Sequence, residues 1–470
     1  MGMPTWSEVY ENVELGDKRR NKRLIETAQQ IEHVTEKKGV SATLRGHAEL
    51  KAVSRAMSSR DITPKNITEG LIRHTCGDIT APHILVVEDT SEFNFAWRKK
   101  PIAGLGPTGN GEDQGFFIHP AIVVEPKKKT VLGLAGLEVI VREYGKRTTE
   151  NEAHKQKGIE EKESYRWISV PREGCGQIPV EVRKTIVADR EADIYDLFFM
   201  QRKGYLGENC ELLIRAARNR KIADGEGYLF DEVNTWAPCC DREIEIEATK
   251  KRAARTAVCV IRFGTITMEV PKTQRHKKEL GSISDISVVD IREENPPENE
   301  EGVHWMLLTT WKVGTPEEAV EKVEWYRCRW YIEEVFRVLK SGYQAESARF
   351  DNAHSLMNWC AMRLMMAVKV MYLRTHRDDE TPGSAGEVFS PIELEVLEAC
   401  EADLIPVKST IYRPSPGTNA WATLLVAILG GYKTTPSAKP FGHVCLWRGL
   451  ARLEGAVMGY RAALKNVGRS

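Results

Sequence analysis

Apolar and polar positions along the chain follow three rhythms. From Val9 to about Leu71 the spacing is helical and the segments are polar overall. "GDKRRNKRLIETAQQI" opens on Asp17, placed to cap a helix. "GHAELKAVSRAMSS" brings Ala48, Leu50, Ala52, Val53 and Met57 into one apolar set, and "DITPKNITEGLIRHT" starts a third helix with Pro64 in its first turn. The pattern predicts a helical domain over residues 1–70.

The rhythm then shortens. "HILVVEDTSEFNF" reads as a buried strand that ends in charge, and "FFIHPAIVVEPKKKTVLGLAGLEVIVR" as two or three antiparallel strands around a "PKKK" turn. The glycine-rich "GLGPTGNGEDQG" lacks the GK[ST] of a phosphate loop and reads as a flexible connection. "KTIVADREADIYDLFFMQRKG" predicts strand, sharp turn, helix, and "CELLIRAARN" another strand. From Arg242 to about Val289 the alternation has period two, a β-rich block placed at about 237–303. "VHWMLLTT" is a strand, and "TPEEAVEKVEWYRCRW" leads into a helix. After about Asp351 the chain is helical to its end. The predicted organisation is a mixed domain over 71–365 followed by a helical domain over 366–470.

Composition narrows the chemistry. The chain of 470 residues carries 67 basic and 67 acidic side chains, so its net charge does not point to nucleic acid and a local patch is needed. The densest basic run places five cations between Lys18 and Arg23. The ten cysteines contain no CxxC pair, which predicts free thiols in a reducing cytoplasm rather than a zinc site. No apolar run reaches the roughly 18 residues of a membrane span, and the first residues carry no apolar leader.

"YRCRWYIEEVFRVLK", Tyr326–Lys340, poses the sharpest question. Read as one helix, Tyr326, Arg329, Glu333, Arg337 and Lys340 fall within roughly 80° of one another, beside an apolar stripe of Trp325, Ile332, Val335, Phe336 and Leu339. Glu333 thus sits in a row of cations at the margin of a core. A surface helix with salt bridges explains this as well as a carboxylate held for metal or phosphate chemistry. Asp89 closes the apolar run "ILVVED" and Asp189 closes "TIVAD" before a helix; each alone reads equally as a cap or a salt-bridged edge residue. Together with Glu333, two strand-end carboxylates and one helical carboxylate suit a hard-oxygen site for two magnesium ions acting on a phosphodiester. His119, on an apolar strand, reads as a core histidine; Arg190 and Asp193 read as capping or orienting groups. The basic runs "KKRAAR" and "RHKK" read as solvated edges that discourage sheet pairing.

"DREAD", Asp189–Asp193, and Tyr326-x-x-Arg329-x-x-x-Glu333-x-x-x-x-x-x-Lys340 resemble the Y-R-E-K signature of bacterial cut-and-paste DDE transposases of insertion-sequence family four. "LGDKRRNKRL", "EKESYRW", "NPPENEEGVHWMLLTT" and "LGGYKTTPSAKPFGHVCLWRGL" also have counterparts there, so the resemblance spans nearly the whole chain. It implies a ribonuclease-H-like mixed-sheet catalytic core with a β-rich insertion, flanked by helical N- and C-terminal domains. By position it implies a catalytic, metal-binding triad of Asp89, Asp189 and Glu333, holding two Mg2+ ions with Mn2+ as a substitute. Tyr326, Arg329, Lys340 and Arg215 would grip DNA phosphates, and Trp305 would stack a flipped base, although a Trp in "VHWMLL" also suits a core strand. Arg19, Arg20, Lys22 and Arg23 would bind the element's terminal repeats.

The activity implied is transposition: binding the terminal repeats, excising the element by phosphodiester hydrolysis and hairpin formation, and joining its 3′ ends to target DNA. The partners implied are double-stranded DNA and a second copy of the chain, in a bacterial cytoplasm and on the nucleoid when DNA-bound. The apolar segments "ATLLVAILGGY" and "CLWRGLARLEGAVMGY" would supply the homodimer contact or be buried within their own domain. A catalytically inactive DNA-binding regulator, or a structure-specific nuclease, on the same fold are the alternatives.

Overall fold

The computed structural model describes all residues except 1, 12, 14, 33–46, 110, 146–156, 226, 247–252, 275–279, 406–411, 435–439 and 468–470. Among the described residues, four helices come first: α1 (Trp6–Glu11), α2 (Lys18–Glu32), α3 (His47–Met57) and α4 (Pro64–Gly77). Strands β1 (His83–Glu88), β2 (Ser91–Asn94), β3 (Gly106–Thr108), β4 (Asp113–Glu125) and β5 (Thr130–Ile140) follow. Next are α5 (Arg166–Cys175), β6 (Arg183–Ala188), α6 (Tyr195–Arg202), β7 (Cys210–Arg215) and α7 (Leu229–Thr235). Strands β8 (Cys240–Ile246), β9 (Arg255–Met268), β10 (Ile283–Glu293) and β11 (His304–Thr309) complete the sheet. The chain ends in α8 (Pro316–Arg327), α9 (Trp330–Arg337), α10 (Ala353–Thr375), α11 (Pro391–Leu404), α12 (Asn419–Leu429) and α13 (His443–Val467).

The runs Ile84–Val87, Thr185–Ala188 and Leu212–Ile214 are fully buried, as strands covered on both faces must be. They form the centre of one eleven-stranded sheet. β1, β6 and β7 are mutually parallel, and β4 lies antiparallel to β1 with β5 beyond it. This order, β5–β4–β1–β6–β7, is consistent with a ribonuclease-H-like core. The β-rich block does not form a separate layer. It extends the same sheet through antiparallel β11, β10, β9 and β8. Its outer strand β8 alternates exposed and buried positions, which fits a sheet with one solvated face.

The sequence placed a strand end at Asp89. In the structure pairing with β4 resumes two residues later as β2, and the register is unbroken: Glu88 faces Ala121 and Ser91 faces Ile118. The interruption therefore lies opposite His119 and Pro120. A proline nitrogen offers no ladder bond to either neighbouring strand, which accounts for the gap. The glycine-rich segment is also more ordered than expected: β3 pairs with β4 across a tight turn, where Gly109 and Gly111 take the positive φ that other residues avoid. The run Arg275–Lys278 and the first half of Lys250–Arg255 lie outside the described residues.

Helix α10 is apolar on nearly every side and is buried from Leu356 to Leu373 except at Met357 and Lys369. It packs on β5, on α3 and α4, and on α12 and α13. Asn358 donates to the Met57 and Ile62 carbonyls at 2.9 and 2.8 Å, and the Tyr10 hydroxyl reaches the Met362 sulfur at 3.4 Å. Leading and trailing helices thus share one core with the sheet. α4 runs across the expected boundary at 70, and α10 across the one at 365. The apolar run of α12 is spent internally, with Ala420–Ala427 all buried. No helix among the described residues is long and apolar enough to cross a membrane.

At the opposite end of β1 from Asp89, His83 packs between Trp325 and Trp311, with ring centroids at 4.4 and 5.7 Å, and bonds Thr185 Oγ1 at 2.8 Å. Burial, then Lys322 and Arg183, lower its pKa to about 4. The unfolded imidazole takes up a proton near pH 6.5, and the folded one does not until about pH 4. Stability is therefore lost as pH falls through that window. His83→Gln should remove about 2–3 kcal/mol of this loss, read as a flatter dependence of urea-unfolding free energy between pH 7 and 4.

Candidate active site

The parallel register puts strand-end residues in a row. Val87 pairs with Val187, and Ala188 with Ile214. Continuing each strand by the same register sets Asp89 beside Asp189, and Asp189 beside Arg215. Neighbouring strands lie about 4.8 Å apart, so the two carboxylates and the guanidinium share one edge of the sheet at the carboxyl ends of the strands. In open α/β sheets this edge is where ligands bind. Each aspartate is turned by its own next residue: Thr90 N–H donates to Asp89 Oδ1 and Arg190 N–H to Asp189 Oδ1, both at 2.7 Å.

The third carboxylate comes from the other side. Tyr326–Lys340 is not one continuous α-helix. α8 ends at Arg327, and i→i−3 bonds tighten the chain through Cys328 and Arg329. α9 then carries Glu333, and a π-helical turn over Val338–Gly342 carries Lys340. The spacing of Tyr326, Arg329 and Glu333 still aims all three at the sheet edge. The Arg329 guanidinium donates to Asp89 Oδ2 at 3.1 Å and to Glu333 Oε1 at 2.7 Å. The Tyr326 hydroxyl donates to Asp189 Oδ1 at 3.2 Å, and Arg215 Nη1 stands 3.7 Å from the same oxygen.

The electrostatics follow. Burial raises the Asp89 pKa to about 6; nearby Glu333 and Asp189 add to the rise, while Arg329 and the Thr90 N–H oppose it. Burial, then Asp189, holds the Tyr326 phenol well above its ordinary range. Burial works against the Arg329 charge, but Tyr326, Glu333 and Asp189 outweigh it and keep the guanidinium protonated. Among the described residues no set of three or more His, Cys, Asp or Glu stands ready to hold a metal ion. Two of the carboxylates, Asp89 and Glu333, are bridged by Arg329.

The remaining predicted residues are placed as follows. Lys340 bonds the Glu92 carbonyl and lies 5.0 Å over the Phe93 ring, so it is tied to β2. Trp305, on β11, is half-buried with its ring 5.4 Å from Tyr326, a position between core and surface. Arg19, Lys22 and Arg23 are exposed on α2. Arg20 is instead engaged by Asp61 at 2.8 Å and the Leu15 carbonyl at 2.7 Å. His119 is fully buried, bonded to Glu88 at 3.0 Å. Asp193 does not cap the helix that follows it. It accepts from Ala217 and Arg218 N–H at 2.8 and 3.2 Å and pairs with Arg220, pinning the loop after β7.

Two residues escaped sequence reasoning. Trp330 is 41% exposed on the helix of Glu333, next to Arg329. Arg166 is buried behind the two aspartate turns, and only tertiary contacts reveal it.

Residues 178–369 match the family model described as "Transposase DDE domain". The span includes Asp189, Arg215, Trp305, Tyr326, Arg329, Glu333 and Lys340, and excludes Asp89. The match supports a DDE domain of the transposase kind over that segment. A cryo-EM structure of a piggyBac transposase synaptic complex with hairpin DNA is similar over 83% of this chain and 56% of that one, at 8% identity and a TM-score of 0.33. The chain therefore spans little more than half the length of that protein.

Glu334, one residue on and about 100° round the helix from Glu333, has a separate task. It is buried and pairs with Arg337 and Arg374, with His443 Nδ1 at 3.3 Å. These contacts join the helix of Glu333 to α10 and α13. Glu334→Ala should destabilise the chain by roughly 2–4 kcal/mol, because it strands partly buried cations. Urea unfolding of the variant against wild type measures this.

Proposed function

We propose that this chain is a cut-and-paste DNA transposase of insertion-sequence family four, with Asp89, Asp189 and Glu333 as its catalytic carboxylates. The observation that supports this most directly is the convergence of these three groups, from segments far apart in sequence, onto one edge of the sheet together with Tyr326, Arg329 and Arg215. The donor set is all carboxylate oxygen, which suits magnesium or manganese rather than a soft metal. The Arg329 guanidinium, bridging Asp89 and Glu333, marks a place where positive charge is required. The residues therefore fit a divalent ion, and Asp89, Asp189 and Glu333 would hold it. When bound, such an ion supplies Lewis acidity at the phosphodiester.

What the chain's own groups do follows from their pairing. The cations suited to DNA phosphate are the ones that neutralise the carboxylates in its absence. A phosphodiester entering the site competes for Arg329 and Arg215 and releases Asp89, Asp189 and Glu333. Binding of DNA and of metal is then mutually reinforcing, and the coupling is reciprocal. Tyr326 and Lys340 flank the same edge and orient the strand. Hydrolysis, hairpin formation, hairpin opening and joining to target DNA are all phosphodiester displacements, so one site serves each. Two ends require two sites, hence a homodimer on DNA.

A catalytically inactive DNA-binding regulator is favoured by one observation: the carboxylates are already satisfied by the chain's own donors. Cleavage assays separate the two readings. Asp89→Ala, Asp189→Ala and Glu333→Ala should each lower metal-dependent nicking of terminal-repeat DNA by roughly 10³-fold or more, with repeat binding nearly unchanged in gel shifts. Nicking that survives any one of them removes that residue from the triad. Arg329→Gln should tighten Mn2+ binding by the DNA-free chain and weaken DNA binding; weaker Mn2+ binding, by electron paramagnetic resonance titration, would contradict the exchange.

Recognition of the ends is assigned to the exposed cations of α2. Deleting the leading helices would uncover α10, so charge substitution is the cleaner test. Arg19→Glu, Lys22→Glu and Arg23→Glu together should weaken repeat binding at least about tenfold and flatten its salt dependence. Unchanged selection of repeats over random DNA would refute the assignment.

A further inference from the structure

Arg166 is the first residue of α5, where a cation meets the unfavourable end of the helix dipole. Its side chain is nevertheless only 8% exposed. Burying a guanidinium there needs compensation, and all three nitrogens have it. Nε donates to Thr90 Oγ1 at 3.0 Å. Nη1 donates to the Glu163 carbonyl at 2.9 Å and to its carboxylate at 3.3 Å. Nη2 donates to Glu191 Oε2 at 3.0 Å.

The identity of these partners is what matters. Thr90 follows Asp89, and its N–H holds the Asp89 carboxylate. Its hydroxyl is fixed a second time by His119 Nδ1 at 2.9 Å. Glu191 lies in the 3-10 turn that Asp189 caps, the turn whose first N–H holds the Asp189 carboxylate. One guanidinium therefore joins the turn that orients Asp89 to the turn that orients Asp189, from behind the sheet edge. β1 and β6 pair only as far as Val87 and Val187 in the ladder, so beyond that point backbone bonds no longer set the spacing of the two carboxylates. Arg166 also gives a physical role to two residues left without one, Glu163 of "EKESYRW" and Glu191 of "DREAD".

We propose that Arg166 is a positioning residue that fixes the separation and orientation of Asp89 and Asp189 without touching DNA. The inference rests on the reading of these carboxylates as the metal-binding, catalytic pair. Arg166→Met removes all the legs of the clamp. Arg166→Lys keeps the charge, but one ammonium cannot span acceptors on three residues in a fork. Glu191→Gln loosens one leg at an exposed carboxylate and leaves the core untouched.

The test compares the full-length variants with wild type in three measurements: Mn2+ affinity by electron paramagnetic resonance titration, kcat and KM for nicking of repeat DNA in Mg2+ and in Mn2+, and repeat affinity by gel shift. Arg166→Met should lose about 10–100-fold in Mn2+ affinity and in kcat, with KM and repeat affinity within about twofold of wild type. The loss should be larger in Mg2+, which demands stricter geometry than larger ions. Arg166→Lys should fall between, and Glu191→Gln should lose less than about tenfold. If Arg166→Met does not fold, Arg166→Lys and Glu191→Gln carry the same comparison. Wild-type Mn2+ affinity and kcat in all variants overturns the clamp, as does a loss confined to repeat affinity, which would make Arg166 a DNA contact. Wild-type protein that neither binds Mn2+ nor nicks DNA overturns the reading of the site itself, a result distinct from one seen only in the variants.

Discussion

The in-register parallel pairing of β1 with β6 is the constraint on which the site depends. Two strands buried on both faces must align by their ladder, and the alignment that pairs Val87 with Val187 sets Asp89 and Asp189, two positions on, side by side. β7 extends the row by one strand and brings Arg215 to the same level. Had β6 slipped by one residue, Asp189 would point to the opposite face of the sheet. Pro120 contributes from the neighbouring strand, because a residue without an N–H sits where the ladder opens around Asp89 and Thr90.

Burying a carboxylate at this edge beside two others is unfavourable: burial first, then Glu333 and Asp189, raise the proton affinity of Asp89. The structure compensates with groups from one short stretch of chain. Tyr326 and Arg329 reach Asp189, Asp89 and Glu333, and the tightened turn at Cys328–Arg329 allows both side chains to face the sheet. The same segment keeps its two adjacent glutamates apart in function. Glu333 is 39% exposed and turned to the site, whereas Glu334 is buried against Arg374 of α10 and His443 of α13. The helix that presents the third carboxylate is thus anchored through Arg374 and His443, both remote from it in sequence.

That anchoring explains why the leading and trailing helices are not independent appendages. α10 is apolar on almost every side, so it needs partners on every side: β5, the leading helices and the trailing ones. Through α9 and Glu334, packing around α10 is connected to the placement of Glu333.

Much of this was legible in the sequence. Apolar runs ending in Asp89 and Asp189, and the spacing of Tyr326, Arg329, Glu333 and Lys340, are local patterns, and local periodicity suffices to say which residues end a buried strand or share a helical face. The helix starts at Pro64 and Pro316 and the hairpin at "PKKK" follow from backbone chemistry that acts within a few residues. The sequence by itself therefore determined the elements and the candidate carboxylates. Tertiary structure alone decided their partners: that Arg329 pairs with Asp89 and Glu333 while Tyr326 donates to Asp189, that Arg166 joins the turns behind them, that Arg20 is held by Asp61, that the β-rich block continues the central sheet, and that α12 is buried within its own chain. The physical reason is range. Propensity and periodicity are set by neighbours in sequence, whereas ion pairing, burial and strand order depend on which distant segments come to lie side by side.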